Sequence, residues 1–278
     1  MPMQRAAVLK PYAPWSLALL LCVSACTTPG PGGIAIIGHG GLGSGGRHPM
    51  NSAEALVGGL ALGIDGVEMD VQLSADTVLV AFHTQLLEEL TPCSGLVNAS
   101  SWTQLRACPN TSEGDGPYPL VRLDSLLLGA ATEHPEAAFT LDIKLFAAGD
   151  WWGYLETFSD ALVLLHAQPS LRGRLIVECQ VDEFLELLHR KDPALPLFLY
   201  ATDAKDGLAR AKNIDCAGIT MDNGRMTAEQ VALAHEQDLQ VALFGVGGWW
   251  SHRQAIGKRP DRLQTDAPED LAPADEQR

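Results

Sequence analysis

Short apolar runs alternate with segments of helical periodicity along most of the chain, and this alternation limits the fold more than any other sequence feature. The apolar runs predict strands at 34–39, 66–73, 77–83, 138–145, 174–179, 196–201, 217–221 and 240–246. The segments between most of them predict helices at 51–62, 121–133, 151–168, 181–190, 203–213, 227–237 and 251–258. Strands that are each followed by a helix form a parallel sheet with helices packed outside it.

The predicted fold class is therefore α/β, and we expect a (β/α)8 TIM barrel with an insertion after the second-strand region. Roughly 250 residues remain once residues 1–25 are set aside, which is the usual length of this barrel. The insertion is residues 85–119, where scattered Gly, Pro, Asn and Ser replace the periodic pattern. No internal repeat and no second domain boundary is visible. A doubly wound sheet fits the same alternation nearly as well.

The N-terminal segment resembles a bacterial lipoprotein signal. Arg5 and Lys10 precede an apolar run at 15–25, which is too short to span a bilayer comfortably. The run ends in Val23-Ser24-Ala25-Cys26, which resembles a lipobox, so we expect cleavage before Cys26 and lipidation of its thiol. An ordinary secretory signal that is cut nearby, or a retained anchor, is the alternative.

The predicted organisation has four parts. They are a signal peptide at residues 1–25, a flexible Pro/Gly tether at 26–33, the barrel at 34–270 and a polar tail at 271–278. Thr27 rather than an Asp follows Cys26, and by analogy with enteric lipoproteins this favours the outer membrane. We expect a bacterial cell-envelope protein that faces the periplasm and contacts the membrane through its N-terminal lipid.

The charge balance excludes one class of partner. The chain carries 34 Asp and Glu against 19 Lys and Arg, a formal net charge of -15, and it has no Lys/Arg-rich stripe. Binding to a phosphate backbone relies on such a stripe, so nucleic acid is not an expected partner. With 46% hydrophobic and 19% charged residues, the composition excludes a disordered chain, a collagen and a polytopic membrane protein. No feature indicates a protein partner.

The cysteines suggest one disulfide. Two of the six lie within the first 26 residues, which leaves Cys93, Cys108, Cys179 and Cys216 in the domain. Cys93 and Cys108 flank one loop-like segment and are the expected pair, because an exported protein can form disulfides. Cys179 lies in a predicted strand and Cys216 just before one, so both are expected to be buried free thiols. No spacing indicates a structural zinc site.

Two histidines end predicted strands. His39 closes Ile36-Ile37-Gly38-His39-Gly40-Gly41, a strand that runs into a Gly-rich turn, and His83 closes the strand that begins at Val78. In a parallel α/β sheet the carboxyl ends of the strands carry the active site. A single histidine in such a place is structural as often as it is catalytic, so a catalytic role depends on the residues that accompany it.

Charged side chains share a face on each of two further strands. Strand alternation puts Glu68, Asp70 and Gln72 on one face, and Asp142 and Lys144 on one face of another strand. Carboxylates that point into a barrel repel one another unless a cation or a shared proton neutralises them. Oxygen ligands favour Mg²⁺ or Ca²⁺ over zinc. The alternatives are a solvated acidic edge strand and a structural Asp–Lys ion pair.

In their order along the chain, these segments resemble the glycerophosphodiester phosphodiesterase family, barrel enzymes related to phosphoinositide-specific phospholipase C. The matching motifs are His39-Gly40-Gly41 for the family's His-Arg-Gly, Asn51-Ser52, Glu68-Met69-Asp70-Val71-Gln72-Leu73-Ser74 with Asp76, His83, Leu90-Thr91, Pro119-Leu120, Leu141-Asp142-Ile143-Lys144 and Leu263-Gln264-Thr265-Asp266-Ala267-Pro268. They cover about residues 34–270 and are specific as an ordered set rather than singly.

The resemblance implies a phosphoric diester hydrolase that converts glycerophosphodiesters to a glycerol phosphate and an alcohol. It implies one divalent cation, Mg²⁺ or Ca²⁺, and an acid/base pair of histidines at the phosphorus. The residues implied are Glu68, Asp70 and Asp142 for the cation, His39 and His83 for catalysis, and Lys144 and Asn51 for the substrate phosphate. Asn51 with Glu54 also fits a helix capping box. Trp249 and Trp250 fit either the mouth of the barrel or its core, and Glu178 is a weaker polar candidate.

Four positions depart from the family pattern. They are Gly40 for Arg, Met50 for Glu, Thr84 for Asp, and Asp142 for the metal-binding Glu. Gly40 removes a guanidinium that would bind the phosphate. Arg47 or His48 in the Gly-rich loop is either the replacement donor or a solvated loop residue. A sphingomyelinase D-like or other phospholipase-type phosphodiesterase, which Asp142-Ile143-Lys144 favours slightly, is one alternative function. A lipid-anchored binding protein without catalysis is the other.

Overall fold

The structure is a computed structural model, and it describes residues 33–111 and 116–273. The predicted signal peptide, Cys26 and all of the tether except Gly33 lie outside the described residues, as do the last five residues of the predicted tail. Across the described part of the chain, no helix combines the length and the apolar character that a membrane span requires.

Eight parallel strands close into a barrel. In chain order, the strands of the described residues are β1 (Ala35–Gly38), β2 (Gly66–Leu73), β3 (Leu79–Ala81), β4 (Val121–Arg122), β5 (Ala138–Ile143), β6 (Leu175–Cys179), β7 (Leu197–Tyr200), β8 (Gly218–Asp222), β9 (Gln240–Val246) and β10 (Arg262–Thr265). Two of them, β3 and β4, are not part of the barrel and pair antiparallel beside it. The parallel strands pair in the order β1-β10-β9-β8-β7-β6-β5-β2, and β2 pairs back to β1. The predicted (β/α)8 TIM barrel is confirmed, and the doubly wound alternative is wrong because the sheet has no open parallel edge.

Helices pack around the outside of the barrel. They are α1 (Ala53–Ala61), α2 (Trp102–Leu105), α3 (Leu123–Glu133), α4 (Trp151–His166), α5 (Asp182–Lys191), α6 (Ala204–Ile214), α7 (Ala228–His235) and α8 (Trp249–Gly257). In α4 the apolar positions Leu155, Phe158, Leu162 and Leu165 are buried against the sheet, as the helical period predicts. Asp150 caps this helix by accepting a hydrogen bond from the Gly153 amide at 3.1 Å.

Two strands differ from the sequence prediction. The run at 77–83 is not a barrel strand: its core, β3, folds back antiparallel on the long β2, and β4 pairs antiparallel with β3. The eighth barrel strand is instead β10, whose sequence Arg-Leu-Gln-Thr contains one large apolar residue. A polar strand occurs there because Arg262 and Gln264 point into the barrel, where they meet Thr140 and Glu178.

The predicted insertion has a small core of its own. Apolar residues from β3, the insertion and its exit pack together, and these are Val78, Val80, Phe82, Leu87, Val97, Leu105 and Leu120. A disulfide joins Cys93 to Cys108 across the segment. Cys179 and Cys216 are buried free thiols. The insertion is therefore a fixed part of one side of the barrel.

Candidate active site

A cavity of about 280 Å³ opens at the carboxyl ends of the barrel strands. Its lining is mostly polar, and it comprises His39, Glu68, Asp70, His83, Asp142, Ile143, Lys144, Glu178, Gln180, Tyr200, Thr220, Phe244 and Gln264. A second lobe of about 260 Å³ lies toward the insertion and shares His39, Asp70 and His83 with the first. Those three side chains therefore stand between two compartments.

Three carboxylates converge at the floor of this cavity. Asp70 on β2 lies directly beside Asp142 on β5 in the sheet register, and Glu68 lies one interior position below Asp70. One ligand oxygen from each lies within 4.8 Å of the others. The Glu68 Oε2 atom accepts a hydrogen bond from the Gly40 amide at 2.9 Å. Its Oε1 atom is buried without a hydrogen-bond partner among the described residues.

This carboxylate triad suits a hard divalent cation. Burial raises the pKa of Glu68 to about 8, and repulsion from the Asp70 charge adds to that rise. Burial likewise raises the pKa of Asp142 above its ordinary value. A cation would relieve both effects and would use the free Oε1 oxygen of Glu68. The all-oxygen donor set fits Mg²⁺ or Ca²⁺, as the sequence predicts.

Lys144 lies over two of the three carboxylates. Its Nζ atom is 2.6 Å from Asp142 Oδ2 and 3.0 Å from Asp70 Oδ1. Burial alone would lower the pKa of Lys144, but the charges of Asp70 and Asp142 raise it above its ordinary value. The ammonium group is therefore a permanent positive charge at the cavity wall, available to a phosphate oxygen.

Asn51 holds Asp70 from behind. Its Nδ2 atom donates to Asp70 Oδ2 at 2.7 Å, and its Oδ1 atom accepts from the Asp70 amide at 2.9 Å. The capping-box interpretation is wrong, because the helix cap is Ser52, whose hydroxyl accepts from the Ala55 amide. Asn51 has a φ of 68°, in the left-handed region that Asn tolerates better than most residues. Its position fixes the orientation of the Asp70 carboxylate.

His39 is held by Asp266, a residue for which the sequence predicts no separate role. The His39 Nδ1 atom is 2.8 Å from Asp266 Oδ1, and its Nε2 atom is 3.8 Å from Glu68 Oε2. Burial lowers the pKa of His39, but the Asp266 hydrogen bond and the Glu68 charge outweigh it and raise the pKa to about 9. Asp266 follows the last residue of β10, so closure of the barrel between β1 and β10 brings the pair together.

His83 reaches the same cavity by a different route from the one predicted. It does not close a parallel strand but follows the antiparallel β3, and the Phe82 amide bonds back to the Asp70 carbonyl at 3.0 Å. Gln72 donates to the carbonyls on both sides of it, those of Phe82 at 2.9 Å and Thr84 at 2.8 Å. The fold-back brings His83 down to the level of Asp70. Its imidazole is exposed and makes no hydrogen bond to the described residues.

Other predicted residues lie farther from the triad. Arg47 is exposed on the Gly-rich loop and lines neither lobe of the cavity. His48 lies beside Tyr118, with Nδ1 3.2 Å from the hydroxyl. Glu178 is buried in the cavity, where Gln264 donates to both of its oxygens at 2.8 Å. Burial raises the pKa of Glu178 to about 7, and the Asp142 charge adds to the rise.

Two aromatic residues that the sequence analysis does not predict form one wall of the first lobe. Tyr200 and Phe244 stack with ring centroids 5.4 Å apart, and both line the first lobe. Each is the aromatic residue near the end of a predicted strand, and that position was the available signal. The wall gives the lobe an apolar side that suits the carbon skeleton of a small alcohol.

The glycerophosphoryl diester phosphodiesterase family model matches residues 43–270. The chain belongs to this family. Members of the family are phosphoric diester hydrolases. The barrel resembles the Oleispira antarctica phosphodiesterase solved with its product sn-glycerol-3-phosphate, with a TM-score of 0.71 and 20% identity over 85% of this chain and 94% of that one. It also resembles the glycerophosphodiester phosphodiesterase of Agrobacterium tumefaciens, with a TM-score of 0.69 and 19% identity over 86% of this chain and 99% of that one.

A curated relative matches a shorter stretch. The uncharacterized protein YqiK of Bacillus subtilis is 29% identical over 84 residues, which are 30% of this chain and 35% of that protein. The alignment thus spans about a third of the relative's length. This likeness adds no activity to the argument.

Two departures from the family pattern occupy one place in the structure. Gly40, where the family has Arg, has a φ of +55°, and a Cβ atom there would lie 2.6 Å from the Cβ of Met50. Met50 stands where the family has Glu. The Met50 side chain therefore occupies the space that a residue larger than Gly would need at position 40. The two departures from the family pattern are therefore in direct contact in this chain.

Replacing Asp266 with Asn is expected to lower the pKa of His39 well below 9. Burial of the imidazole remains, while the strongest interaction that favours its charged form is weakened. At pH 7.5, His39 is then expected to change from protonated to largely neutral. An NMR titration of the imidazole in cation-free protein measures this. Asp270→Asn is the control, because that carboxylate lies 3.9 Å from His252 rather than beside His39; an equal fall in both variants would contradict the assignment.

Proposed function

We propose that the protein hydrolyses glycerophosphodiesters to a glycerol phosphate and an alcohol by metal-dependent acid/base catalysis. The observation that carries the proposal is the meeting of a buried carboxylate triad with two imidazoles and an ammonium group in one cavity of a family barrel. Each of these groups has a separate task at a phosphodiester, and the triad is poorly stable without a cation.

Glu68, Asp70 and Asp142 would hold one divalent cation, Mg²⁺ or Ca²⁺. When bound, it supplies Lewis-acid stabilisation of charge on a non-bridging phosphate oxygen. Asn51 keeps Asp70 in orientation through its two hydrogen bonds, and the Gly40 amide does the same for Glu68. Such support from behind the ligands typically accounts for tenfold to a hundredfold of metal affinity, as an order of magnitude.

The two histidines would move protons on opposite sides of the phosphorus. The Nδ1 atom of His39 is engaged with Asp266, which leaves Nε2 as its atom for proton transfer. The His83 imidazole makes no hydrogen bond to the described residues, and it lines both lobes of the cavity. One imidazole would take the proton of the nucleophile and the other would protonate the departing alcohol. Lys144 would stabilise charge on the equatorial phosphate oxygens.

The two lobes provide room on both sides of the phosphorus. A phosphodiester bound at His39, Asp70 and His83 would have one ester substituent in the first lobe and the other in the second. The first lobe offers the Tyr200–Phe244 wall and polar groups such as Glu178 and Gln264, which suit a glycerol unit with one carbon face and several hydroxyl groups. The second lobe opens toward the insertion and would take the alcohol.

Turnover of glycerophosphocholine with and without a chelator tests the proposal. We expect release of a glycerol phosphate and choline, complete loss of activity with the chelator, and recovery after addition of Mg²⁺ or Ca²⁺. A lysophospholipid assayed beside it distinguishes the phospholipase-type alternative. Activity that survives exhaustive chelation, or the absence of turnover on any glycerophosphodiester, would contradict the proposal.

We also propose that lipid on Cys26 tethers the domain to the outer membrane. The support is the lipobox-like Val23-Ser24-Ala25-Cys26 followed by a Pro/Gly-rich segment. Cys26→Ser is expected to abolish labelling with a radioactive fatty acid and to leave the protein soluble or unprocessed. Ser24→Ala is the matched control and should be labelled normally. Unchanged labelling and membrane fractionation of Cys26→Ser would refute the tether.

A further inference from the structure

Exposed tryptophans gather at the catalytic end of the barrel. Of the five tryptophans in the described residues, four occupy the first two positions of α4 and α8. Both helices start just after barrel strands end, so these residues stand on the same face as the active-site cavity. The exposed fractions are 36% for Trp151, 61% for Trp152, 58% for Trp249 and 77% for Trp250. We call these four residues the tryptophan rim.

The rim has two parts on opposite sides of the mouth. The helix α4 follows β5 and α8 follows β9, and these two strands lie four places apart in the ring of eight. The other exposed large apolar residues are aliphatic and lie on outer helices or on the insertion, and they are Val57, Leu86, Leu128, Leu164 and Leu233. Leu128 and Leu164 line one groove on the outer helices α3 and α4. Scattered aliphatic residues are ordinary on a protein surface, whereas paired indoles at two points around one opening are not.

We propose that the tryptophan rim docks the catalytic face on an electrically neutral lipid surface. A flat partner can touch both sides of the mouth at once, which a single peptide strand or helix bound at one pair cannot do. Indole rings are favoured at the boundary between lipid headgroups and acyl chains, because each combines a large apolar ring with one N–H donor. The rim therefore matches a bilayer surface better than it matches an apolar protein groove.

The charge of the chain selects the kind of lipid. With a formal net charge of -15, the protein is repelled by an anionic surface rather than attracted to it. The Arg253 guanidinium lies 4.9 Å from the centroid of the Trp249 ring, so its positive charge is engaged in a cation–π contact within the rim. Zwitterionic headgroups such as phosphocholine or phosphoethanolamine avoid this repulsion. They also carry the phosphodiester group that the cavity below the rim accommodates.

Binding to vesicles tests the surface without any measurement of turnover, so its outcome is independent of the proposed hydrolysis. The full chain is used with Cys26→Ser, so that no acyl chain contributes and any effect of the N-terminal segment is common to all variants. The variant of the rim is Trp152→Ala with Trp250→Ala. The matched control is Leu164→Ala with Leu233→Ala, which removes exposed apolar groups from other helices.

Sedimentation with phosphatidylcholine vesicles should show binding by the parent and a partition constant at least about tenfold lower for the double tryptophan variant. The leucine control should bind like the parent, and phosphatidylglycerol vesicles should bind the parent more weakly. Equal binding by the parent and the tryptophan variant, or equal losses in both double variants, would overturn the proposal. So would stronger binding to the anionic vesicles, or a dimer in analytical ultracentrifugation that the tryptophan variant abolishes.

Circular dichroism and its thermal transition establish that the tryptophan variant is folded. Both substituted side chains are exposed, so neither readout is expected to change. If the alanine variant loses its thermal transition, Trp152→Gln with Trp250→Gln replaces it. This variant also removes both indoles, and it leaves a larger, polar side chain at each position. The same vesicle comparison then decides the matter.

Discussion

Replacing Glu68 with Gln is expected to lower kcat for glycerophosphocholine by about three orders of magnitude or more. The substitution keeps the size of the side chain and its contact with Gly40, but it removes one of three charges that would hold the cation. Charge stabilisation by a bound metal is worth several kcal/mol, and each 1.36 kcal/mol corresponds to about a tenfold change in rate. Isothermal titration calorimetry with Mg²⁺ and Ca²⁺ should show a parallel loss of affinity.

Glu178→Gln is the matched control for this experiment. It removes a buried carboxylate from the same cavity without touching the triad. We expect its cation affinity to stay within a few-fold of the parent, because Gln264 already satisfies both of its oxygens. Loss of affinity in Glu178→Gln, together with retention in Glu68→Gln, would move the cation site away from the triad.

The pH dependence of cation binding follows from the pKa of Glu68. Burial and the Asp70 charge raise that pKa to about 8, so the carboxyl group is largely protonated at pH 6. Binding must release this proton, and cation affinity is therefore expected to rise between pH 6 and pH 8. Glu68→Gln should show a flatter dependence, because it has no proton to lose at that position. An affinity that falls as pH rises would contradict the role of Glu68 as a ligand.

The sequence predicted the barrel well because apolar periodicity follows burial. Strands that pack on outer helices need Val, Leu and Ile on one face, and such residues occur in all seven of the predicted strands that belong to the barrel. The strand β10 was missed because its interior positions are Arg262 and Gln264, which serve the polar floor instead of an apolar layer. A strand that contributes polar residues to the site carries fewer apolar ones, so the apolar periodicity that predicts strands is weaker near the active site.

Long-range pairing limited what could be predicted of the site. Glu68 and Asp70 were placed on one face correctly because alternation along a strand is a local rule, and the family resemblance added Asp142 to them. The Asp266–His39 contact joins residues 227 positions apart and depends on where the barrel closes. His83 required the antiparallel fold-back of β3, which no periodicity distinguishes from another parallel strand. Likewise, only the structure shows that Met50 packs against Gly40, so that these two departures from the family pattern are in contact.

His39→Ala and His83→Ala are each expected to lower kcat by about 10²–10⁴, the usual contribution of one general acid or base. The two losses should not add in the double variant, because the histidines serve one proton-transfer cycle. Stability should change little in His83→Ala, because His83 is exposed. His189→Ala, on the outer helix α5, is the control and should keep the parent rate.

The leaving group then assigns the two roles. A nitrophenol departs as a stable anion and needs little protonation, so a nitrophenyl phosphodiester no longer requires the general acid. The variant that lacks the acid should regain most of its rate on this substrate, whereas the variant that lacks the base should stay slow, because its nucleophile still carries the proton. The Nε2 atom of His39 faces the cavity while Asp266 holds Nδ1, so each outcome for His39→Ala refers to one defined atom. Near-parental rates for both variants on glycerophosphodiesters would remove the histidines from the chemistry and favour a binding protein that uses the same cavity.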